Sequence, residues 1–300
     1  MKRSCVFETR TLFTFENYDL AATLCSGQAF RWKLQSLGWE SVVAGRWIRL
    51  NQTAKGIGAE TALPQSDWRW LRHYLQLDLD FPSVLKSFPP DEHLTRASSA
   101  CAGLRLLRQD PWECLASFIL SSTKQIVQIQ QIVELLCERF GEPVTISEGA
   151  ERWFSFPSAT RLAACTESEL RACKMGFRAP YLSAAARMVA AREIDLEALK
   201  DLNVLQARAE LIRIPGVGRK IADCVLLFGF GFQKAFPVDV WIMKALRQLY
   251  FPGRRVKQPR LIAFSEKYFG ENAGYAQQYL FHYMRTQHSR PKRKRNRGNI

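Results

Sequence analysis

The chain has 300 residues, 47% of them hydrophobic, and a formal net charge of +15. Its 19 Phe, 8 Trp and 8 Tyr supply enough apolar material for one large or two smaller domains, which argues against disorder over most of the length. The excess of basic residues indicates a polyanionic partner, with nucleic acid favoured over an anionic membrane. No apolar stretch could span a bilayer, no signal peptide is evident, and the eight cysteines form no CxxC pair. We therefore expect an intracellular protein with free thiols.

Two patterns follow one another along the chain. Roughly the first 60 residues alternate apolar and polar positions between turn signals, which predicts an antiparallel β-sheet, with a hairpin over residues 39–50 and a turn at 25–28. From about Ser66 the apolar period becomes helical. Helices are predicted at about 67–75, 111–120, 125–140, 168–175, 179–192, 204–213, 219–229, 240–250, 259–268 and 272–285.

These patterns predict an α+β fold, with a small N-terminal antiparallel β-sheet domain followed by a mostly α-helical body. We place the first domain at residues 1–100 and the helical domain at 101–289. Residues 290–300 form a basic tail that we expect to be disordered. Its role stays open between a nuclear import signal, an arm that slides on DNA and a solubilising end.

Residues 211–225 predict a helix, a tight turn and a second helix. Pro215 cannot continue the first helix, and Gly216 and Gly218 permit a close turn around Val217. The second helix then begins with unpaired N–H groups that suit a phosphate oxygen. This helix–hairpin–helix pattern is typical of proteins that bind the DNA backbone without reading its sequence, although glycine turns also serve packing alone.

Two polar residues that could act in catalysis follow this turn. Lys220 lies in the first turn of the second helix, where the helix dipole disfavours a cation and favours the neutral amine that can attack a sugar C1′. A solvated lysine that contacts phosphate is an equal alternative. Asp239 precedes the next helix and is expected to cap it, a role compatible with stabilising cationic charge or relaying a proton.

Together with these residues, three further stretches carry a family resemblance. They are Ser26–Trp32 (SGQAFRW), Leu106–Cys114 (LLRQDPWEC) and Gly274–Phe281 (GYAQQYLF). With the hairpin and the Pro237-Val238-Asp239 motif, residues 15 to 285 resemble the 8-oxoguanine DNA glycosylase/AP lyase family of the helix–hairpin–helix–GPD superfamily.

The resemblance implies a bifunctional base excision repair enzyme that removes 8-oxoguanine, and related oxidised purines such as formamidopyrimidine, from duplex DNA. Lys220 matches the nucleophile and Asp239 the catalytic aspartate, and β-elimination then nicks the strand. The chemistry implies neither a metal nor an organic cofactor. We expect a monomer located with the DNA, with a bacterial cytoplasm or nucleoid favoured and a nucleus left open by the basic tail.

The resemblance also implies a pocket for the flipped base. Gly27 matches the glycine whose carbonyl accepts the N7–H of 8-oxoguanine, a hydrogen that guanine lacks. Cys224 and Phe281 match the residues that sandwich the base, and Gln277 matches the residue that bonds its Watson–Crick edge. Pro237 is placed with this substrate-binding group, and Gly216, Val217 and Gly218 with the DNA-binding residues. Each apolar member could equally be ordinary core packing.

Residues expected to face the opposite strand depart from the family pattern. Arg178 is retained, but Thr123 stands where Asn is expected and Gln128 where a second Arg is expected, while Phe177 replaces a wedging Tyr. Because Gln can present either a donor or an acceptor, we predict relaxed selectivity for the base opposite the lesion. Trp241 replaces a His that contacts phosphate, so we expect that contact to be weakened or supplied elsewhere.

Three alternatives remain at this point. An endonuclease III-like pyrimidine glycosylase shares the hairpin, Lys and Asp, but usually carries four cysteines near its C-terminus for an iron–sulfur cluster, and here no cysteine follows Cys224. Alkylpurine glycosylases keep the Asp and lack the Lys. A non-catalytic DNA-binding module would not require Lys220, Asp239, Gly27 and Phe281 together. We therefore expect a glycosylase without an iron–sulfur cluster.

Overall fold

The computed structural model describes residues 8–122, 125–148 and 151–289, and it confirms the α+β fold. An N-terminal five-stranded antiparallel sheet precedes a mostly helical body. Thr123 and the basic tail, both subjects of predictions above, lie outside the described residues. No helix in the described ranges is both long and apolar enough to span a lipid bilayer.

The sheet strands are β1 (Glu8–Thr14), β2 (Lys33–Gln35), β3 (Gly38–Val43), β4 (Arg46–Thr53) and β5 (Gly56–Gln65), and a separate two-stranded ribbon consists of β6 (Pro143–Val144) and β7 (Trp153–Phe154). The five strands are ordered β1-β5-β4-β3-β2. The predicted hairpin is confirmed as β3 and β4, joined through Ala44 and Gly45, which both have positive φ as a two-residue hairpin turn requires.

The helices are α1 (Leu20–Cys25), α2 (Arg69–Leu75), α3 (Phe81–Lys86), α4 (Glu92–Ala100), α5 (Pro111–Leu120), α6 (Ile126–Phe140), α7 (Ala159–Ala163), α8 (Glu167–Leu170), α9 (Ala179–Ala190), α10 (Val204–Ile212), α11 (Arg219–Val225), α12 (Val240–Ala245), α13 (Gln258–Tyr268) and α14 (Ala273–Ser289). A π-helical stretch continues α11 as Leu226–Phe230, and another continues α12 as Leu246–Tyr250. The helices predicted at 219–229 and 240–250 therefore exist, but each changes its winding about halfway.

Four helices show where the sequence pattern was insufficient. The short helices α1, α3, α4 and α7 are absent from the predicted set, because so few residues define a helical period poorly. Three of them nevertheless begin at an aspartate whose side chain accepts a backbone N–H of the first turn: Asp19 for α1, Asp80 for α3 and Asp91 for α4. The prediction at 168–175 is wrong as a single helix, because Lys174 has a φ of +61° and breaks it.

One buried side chain joins the N-terminal region to the helical body. The Gln28 amide donates to the carbonyl of Arg105 at 2.8 Å, and its oxygen accepts from the backbone N–H of Leu107 at 2.8 Å. Because Gln28 is fully buried, these bonds are shielded from water and fix the turn before it against the body. The segment that precedes Gln28 is thereby held at the edge of the helical domain.

Candidate active site

A small cavity of about 50 Å³ lies where the turn before Gln28 meets α5, α11 and α14. It brings together seven of the predicted site residues, although they are spread over more than 250 positions of the chain. These seven are Gly27, Lys220, Cys224, Pro237, Asp239, Gln277 and Phe281. The remaining lining residues, which the sequence reasoning missed, are Phe118, Phe228 and Gln278.

Lys220 enters the cavity from the first turn of α11. Its Nζ donates to the Ser121 hydroxyl at 3.0 Å and lies 5.3 Å from the centre of the Phe118 ring. Ser121 caps the C-terminal end of α5 and was not predicted as a site residue; its place directly after an apolar helix was the available signal. The amine is therefore held at one point, against an apolar wall, rather than paired with a carboxylate.

A buried ion-pair network fixes the helix that carries Lys220. Asp223, one turn further along α11, accepts from Arg208 Nε of α10 at 2.6 Å and lies 3.5 Å from Arg219 Nε. Glu266 of α13 pairs with both arginines. Because Arg208 and Asp223 are buried, removal of either would leave an uncompensated buried charge, and the network thus holds α11 between two neighbouring helices.

Asp239 caps a helix, as the sequence predicts, and its predicted catalytic role stays a prediction. Its Oδ1 accepts the backbone N–H of Ile242 at 2.8 Å, so it is the N-cap of α12. Its carboxylate also lines the cavity with Lys220. Burial raises the pKa of this carboxyl, while the Ile242 N–H and the charge of Lys220 oppose the rise.

The two walls predicted to enclose a base are an aliphatic thiol and an aromatic ring. Cys224 lies one helical turn after Lys220, and burial raises the pKa of its thiol to about 12, so it is a neutral wall. Phe281 of α14 is half-buried and lies across the cavity. Gln277, also on α14, is buried, and its Oε1 has no hydrogen-bond partner among the described residues. A buried unpaired acceptor requires a partner, which a ligand with N–H groups could supply.

Gly27 occupies a position that accepts no side chain. Its φ is +79°, and a Cβ added there would lie 2.9 Å from Ile126 Cδ1 and 3.5 Å from Phe281 Cε1. Both the backbone conformation and the crowding therefore require glycine. The turn places the Gly27 backbone directly at the cavity wall.

The predicted hairpin is present between α10 and α11. Gly216 has a φ of +81°, and Val217 is buried beneath the turn. A Cβ at Gly216 would lie 2.5 Å from Cγ of Tyr181, whereas one at Gly218 would meet nothing within 4 Å. The turn is thus packed on one side and open on the other, where the first N–H groups of α11 have no helical partner.

The residues predicted to face the opposite strand are placed differently from one another. Phe177 is 56% exposed, as a wedging ring requires. Arg178 is only 1% exposed, and its Nε donates to the Ser122 hydroxyl at 3.1 Å. The Gln128 Oε1 accepts the backbone N–H of Gln125 at the start of α6, which leaves its amide N–H groups as donors. The roles of these residues toward DNA stay predictions.

Lys244 is a cation close to the Trp241 position. Its Nζ lies 5.5 Å from the centre of the Trp241 ring, one turn further along α12. It is a candidate for the phosphate contact that a His would have made. In the described ranges, no group of three or more His, Cys, Asp or Glu residues could hold a metal ion, and the seven cysteines there are free.

A helix–hairpin–helix element beside a pocket with one lysine and one aspartate defines the class of DNA glycosylases that excise bases. The comparisons agree. Residues 10–115 match the model of the 8-oxoguanine DNA glycosylase N-terminal domain, and residues 116–268 match the HhH-GPD superfamily of base excision DNA repair proteins. The chain therefore belongs to the HhH-GPD superfamily and, within it, to the 8-oxoguanine DNA glycosylases, as its motifs predict.

Relatives and solved structures are consistent with this membership. A probable N-glycosylase/DNA lyase of Methanothermobacter thermautotrophicus is 32% identical, over 74% of this chain and 77% of the relative. The N-glycosylase/DNA lyase of Saccharomyces cerevisiae is 30% identical, over 77% of this chain and 68% of the relative. The Clostridium acetobutylicum 8-oxoguanine glycosylase/lyase, solved with DNA containing cytosine opposite 8-oxoguanine, has a TM-score of 0.86 and 28% identity, covering 94% of this chain and 99% of that one.

Proposed function

We propose that this protein excises 8-oxoguanine from duplex DNA and then nicks the strand at the resulting site. The observation that carries the proposal is the cavity in which Lys220, Asp239, Gln277 and Gly27 meet. A nucleophile, a carboxylate and two hydrogen-bond acceptors are the groups that such a reaction needs. The protein acts where the DNA is, without a metal or organic cofactor.

The chemistry begins with the Lys220 amine as the nucleophile. It attacks C1′ of the flipped nucleotide as the N-glycosidic bond breaks, and the electron pair of that bond leaves with the base, which is then protonated. Asp239 stabilises the positive charge that develops at the sugar. The C1′–O4′ bond then breaks, with Nζ losing a proton and O4′ gaining one, which gives an imine between Nζ and C1′. Removal of a C2′ proton then breaks the C3′–O bond and expels the 3′ phosphate. The strand is nicked by β-elimination.

The pocket would recognise the flipped base through hydrogen-bond acceptors rather than through charged groups. The Gly27 carbonyl would accept the N7–H of 8-oxoguanine, whereas guanine presents a bare N7 acceptor at the same place. Gln277 Oε1, buried and without a partner among the described side chains, would accept an N–H of the Watson–Crick edge. Cys224 and Phe281 would enclose the ring. Formamidopyrimidine, which keeps these donors, is a second candidate substrate.

Base entry requires the pocket to widen. A volume of about 50 Å³ holds a few water molecules and not a purine. Phe281 lines the cavity, is only half-buried and lies close to Gly27, so it is the side chain that we expect to shift. The flipped base would then insert between the Phe281 ring and Cys224.

Covalent trapping tests this proposal. The full chain is incubated with 8-oxoguanine duplexes that carry each opposite base, and borohydride is added to reduce the imine. We expect a trapped complex with the wild type and none with Lys220→Gln. Absence of trapping by the wild type, or equal trapping by the variant, would disprove the lysine mechanism. A thymine glycol duplex in the same assay tests the endonuclease III-like alternative.

A further inference from the structure

We propose that Gln278 and Arg285 are positioning residues that set the direction of the Gly27 carbonyl, and thereby the discrimination between 8-oxoguanine and guanine. The inference rests on the proposed function, because it concerns the acceptor that would read N7–H. Both residues lie on α14, on the same helix as Gln277 and Phe281.

The hydrogen bonds around Gly27 carry the inference. The carbonyl of Ser26 accepts from Gln278 Nε2 at 3.1 Å, and the carbonyl of Cys25 accepts from Arg285 Nη2 at 3.0 Å. On the other side, the carbonyl of Gln28 accepts from Gln109 Nε2 at 2.6 Å. Side-chain N–H groups thus donate hydrogen bonds to the backbone carbonyls on both sides of Gly27. Within the described parts of the chain, the Gly27 carbonyl accepts no hydrogen bond.

This arrangement leaves the turn little freedom to rotate. The Gln28 side chain is tied to Arg105 and Leu107, so the end of the turn is fixed to the helical body. Its beginning is held by Gln278 and Arg285 of α14, in addition to the local contacts of the turn and the bond from the Arg105 N–H to the Thr23 hydroxyl at 3.0 Å. Gly27 has a φ of +79° and no Cβ, so without these bonds its peptide would have unusual freedom.

Helix α14 therefore supplies residues for the proposed contacts with the base and also residues that hold the Gly27 turn. Gln277 and Phe281 contact the base from α14, and Gln278 and Arg285 attach the Gly27 turn to that helix. The Arg285 guanidinium also lies 5.7 Å from the centre of the Phe281 ring, so it links the turn to the ring that must move. The Gly27 carbonyl would accept N7–H, and Gln277 Oε1 would accept from the Watson–Crick edge. Because α14 carries Gln277 and also holds the Gly27 turn, this one helix sets the distance between the two acceptors.

Discrimination between 8-oxoguanine and guanine depends on the direction of the Gly27 carbonyl as well as on its distance from N7. A hydrogen bond weakens steeply when its angle falls below about 120°, so a rotated carbonyl would no longer distinguish N7–H from N7. A buried donor left without its acceptor costs on the order of a tenfold loss in binding or more. Undamaged DNA and abasic sites do not use this acceptor, and their binding should not change.

The decisive variant is Gln278→Met, which removes the donor and keeps the length of the side chain. We expect single-turnover excision of 8-oxoguanine to slow about tenfold, and by a clearly larger factor than the nicking of a preformed abasic site. In a Lys220→Gln background, the ratio of affinities for 8-oxoguanine and guanine duplexes should fall by a similar factor. Gln287→Met, at an exposed position of α14, is the matched control and should match the wild type.

Arg285 provides a second, less buried test. Arg285→Lys can still donate to the Cys25 carbonyl, so it should retain most of the discrimination that Arg285→Met loses. Unchanged discrimination in both Gln278→Met and Arg285→Met would overturn the inference, and so would an equal loss of abasic-site nicking. Failure of the proposed function is distinguishable, because then the wild type itself would not excise 8-oxoguanine.

Discussion

At the scale of single residues, the site consists of ordinary side chains in restricted positions. Lys220 has a hydroxyl rather than a carboxylate as its hydrogen-bond partner, and Asp239 caps a helix while it lines the cavity. The sequence suggested each of these residues only ambiguously. What it could not supply was their convergence, nor Ser121, whose role appears only when the end of α5 meets the start of α11.

Replacing Asp239 with Asn separates its two roles. Asn keeps the cap on Ile242 but cannot carry negative charge, so we expect excision to slow by about a hundredfold or more with little change in thermal stability. Asp239→Ala, which loses both roles, should also lower the melting temperature. Single-turnover kinetics and thermal unfolding measure the two effects. A fully active Asn variant would show that the residue is only a cap.

The pH dependence of excision follows from the same residue. Burial raises the pKa of Asp239, so the carboxylate is present above the raised pKa and is protonated as the pH falls through it. The wild-type rate should therefore decline on the acid side at a higher pH than an ordinary aspartate would give. This decline should disappear from the pH profile of Asp239→Asn. An identical acid limb in both proteins would assign it to another group.

Selectivity for the opposite base is a prediction about Gln128. Its oxygen accepts the Gln125 N–H at the start of α6, and its amide N–H groups can donate to an acceptor on any base. Gln128→Arg should increase the preference for cytosine, because the fork of a guanidinium donates two charge-assisted bonds. Excision rates opposite all four bases provide the measurement. Strong cytosine preference in the wild type would contradict the prediction.

At the scale of elements, the long helices were predictable and the short ones were not. The helices α5, α6 and α14 have apolar patterns long enough to identify from sequence, and their observed ends lie close to the predicted ones, except that α14 extends to Ser289. The helices α3 and α4 depend on tertiary packing around Phe81 and Leu94. The π-helical continuations of α11 and α12 likewise have no signature in the pattern of apolar residues.

The hairpin offers a matched pair of glycine substitutions. Gly216→Ala places a Cβ at positive φ and against the Tyr181 ring, so we expect a loss of about 1–2 kcal/mol in stability, or more, together with weaker DNA binding. Gly218→Ala meets no protein atom, so it should fold like the wild type and affect only DNA binding. Thermal unfolding and duplex affinity distinguish them. Equal melting temperatures for the two variants would contradict this account of the turn.

At the scale of the whole molecule, basic charge is concentrated in the segment that follows Asp239 in the chain. No acidic residue lies between Asp239 and Glu266, whereas six basic residues do: Lys244, Arg247, Arg254, Arg255, Lys257 and Arg260. None of the six forms an ion pair with any described residue, and those from Arg254 onward are exposed. The net charge predicted a polyanionic partner from composition alone. The fold adds that part of this charge follows directly from the catalytic region.

Neutralising part of this segment should change the salt dependence of binding. For Arg254, Arg255 and Lys257 changed together to Gln, we expect the slope of log affinity against log salt to fall by about 0.9 for each phosphate that the variant no longer neutralises. Excision at saturating protein should remain close to the wild-type rate. The control replaces Arg46, Lys55 and Lys86, which are exposed elsewhere. Equal slopes for the two triple variants would show that the segment is only solvated.

The small volume of the cavity has a consequence for the period after the bond is cut. A base held there needs more room than the roughly 50 Å³ found without one, so the pocket must stay widened for as long as the base is bound. The apparent affinity for a detached base is reduced by the fraction of molecules that are open. Free purines in the surrounding solution should therefore be poor competitive inhibitors. The enzyme can thus work among abundant guanine-containing metabolites without being occupied by them.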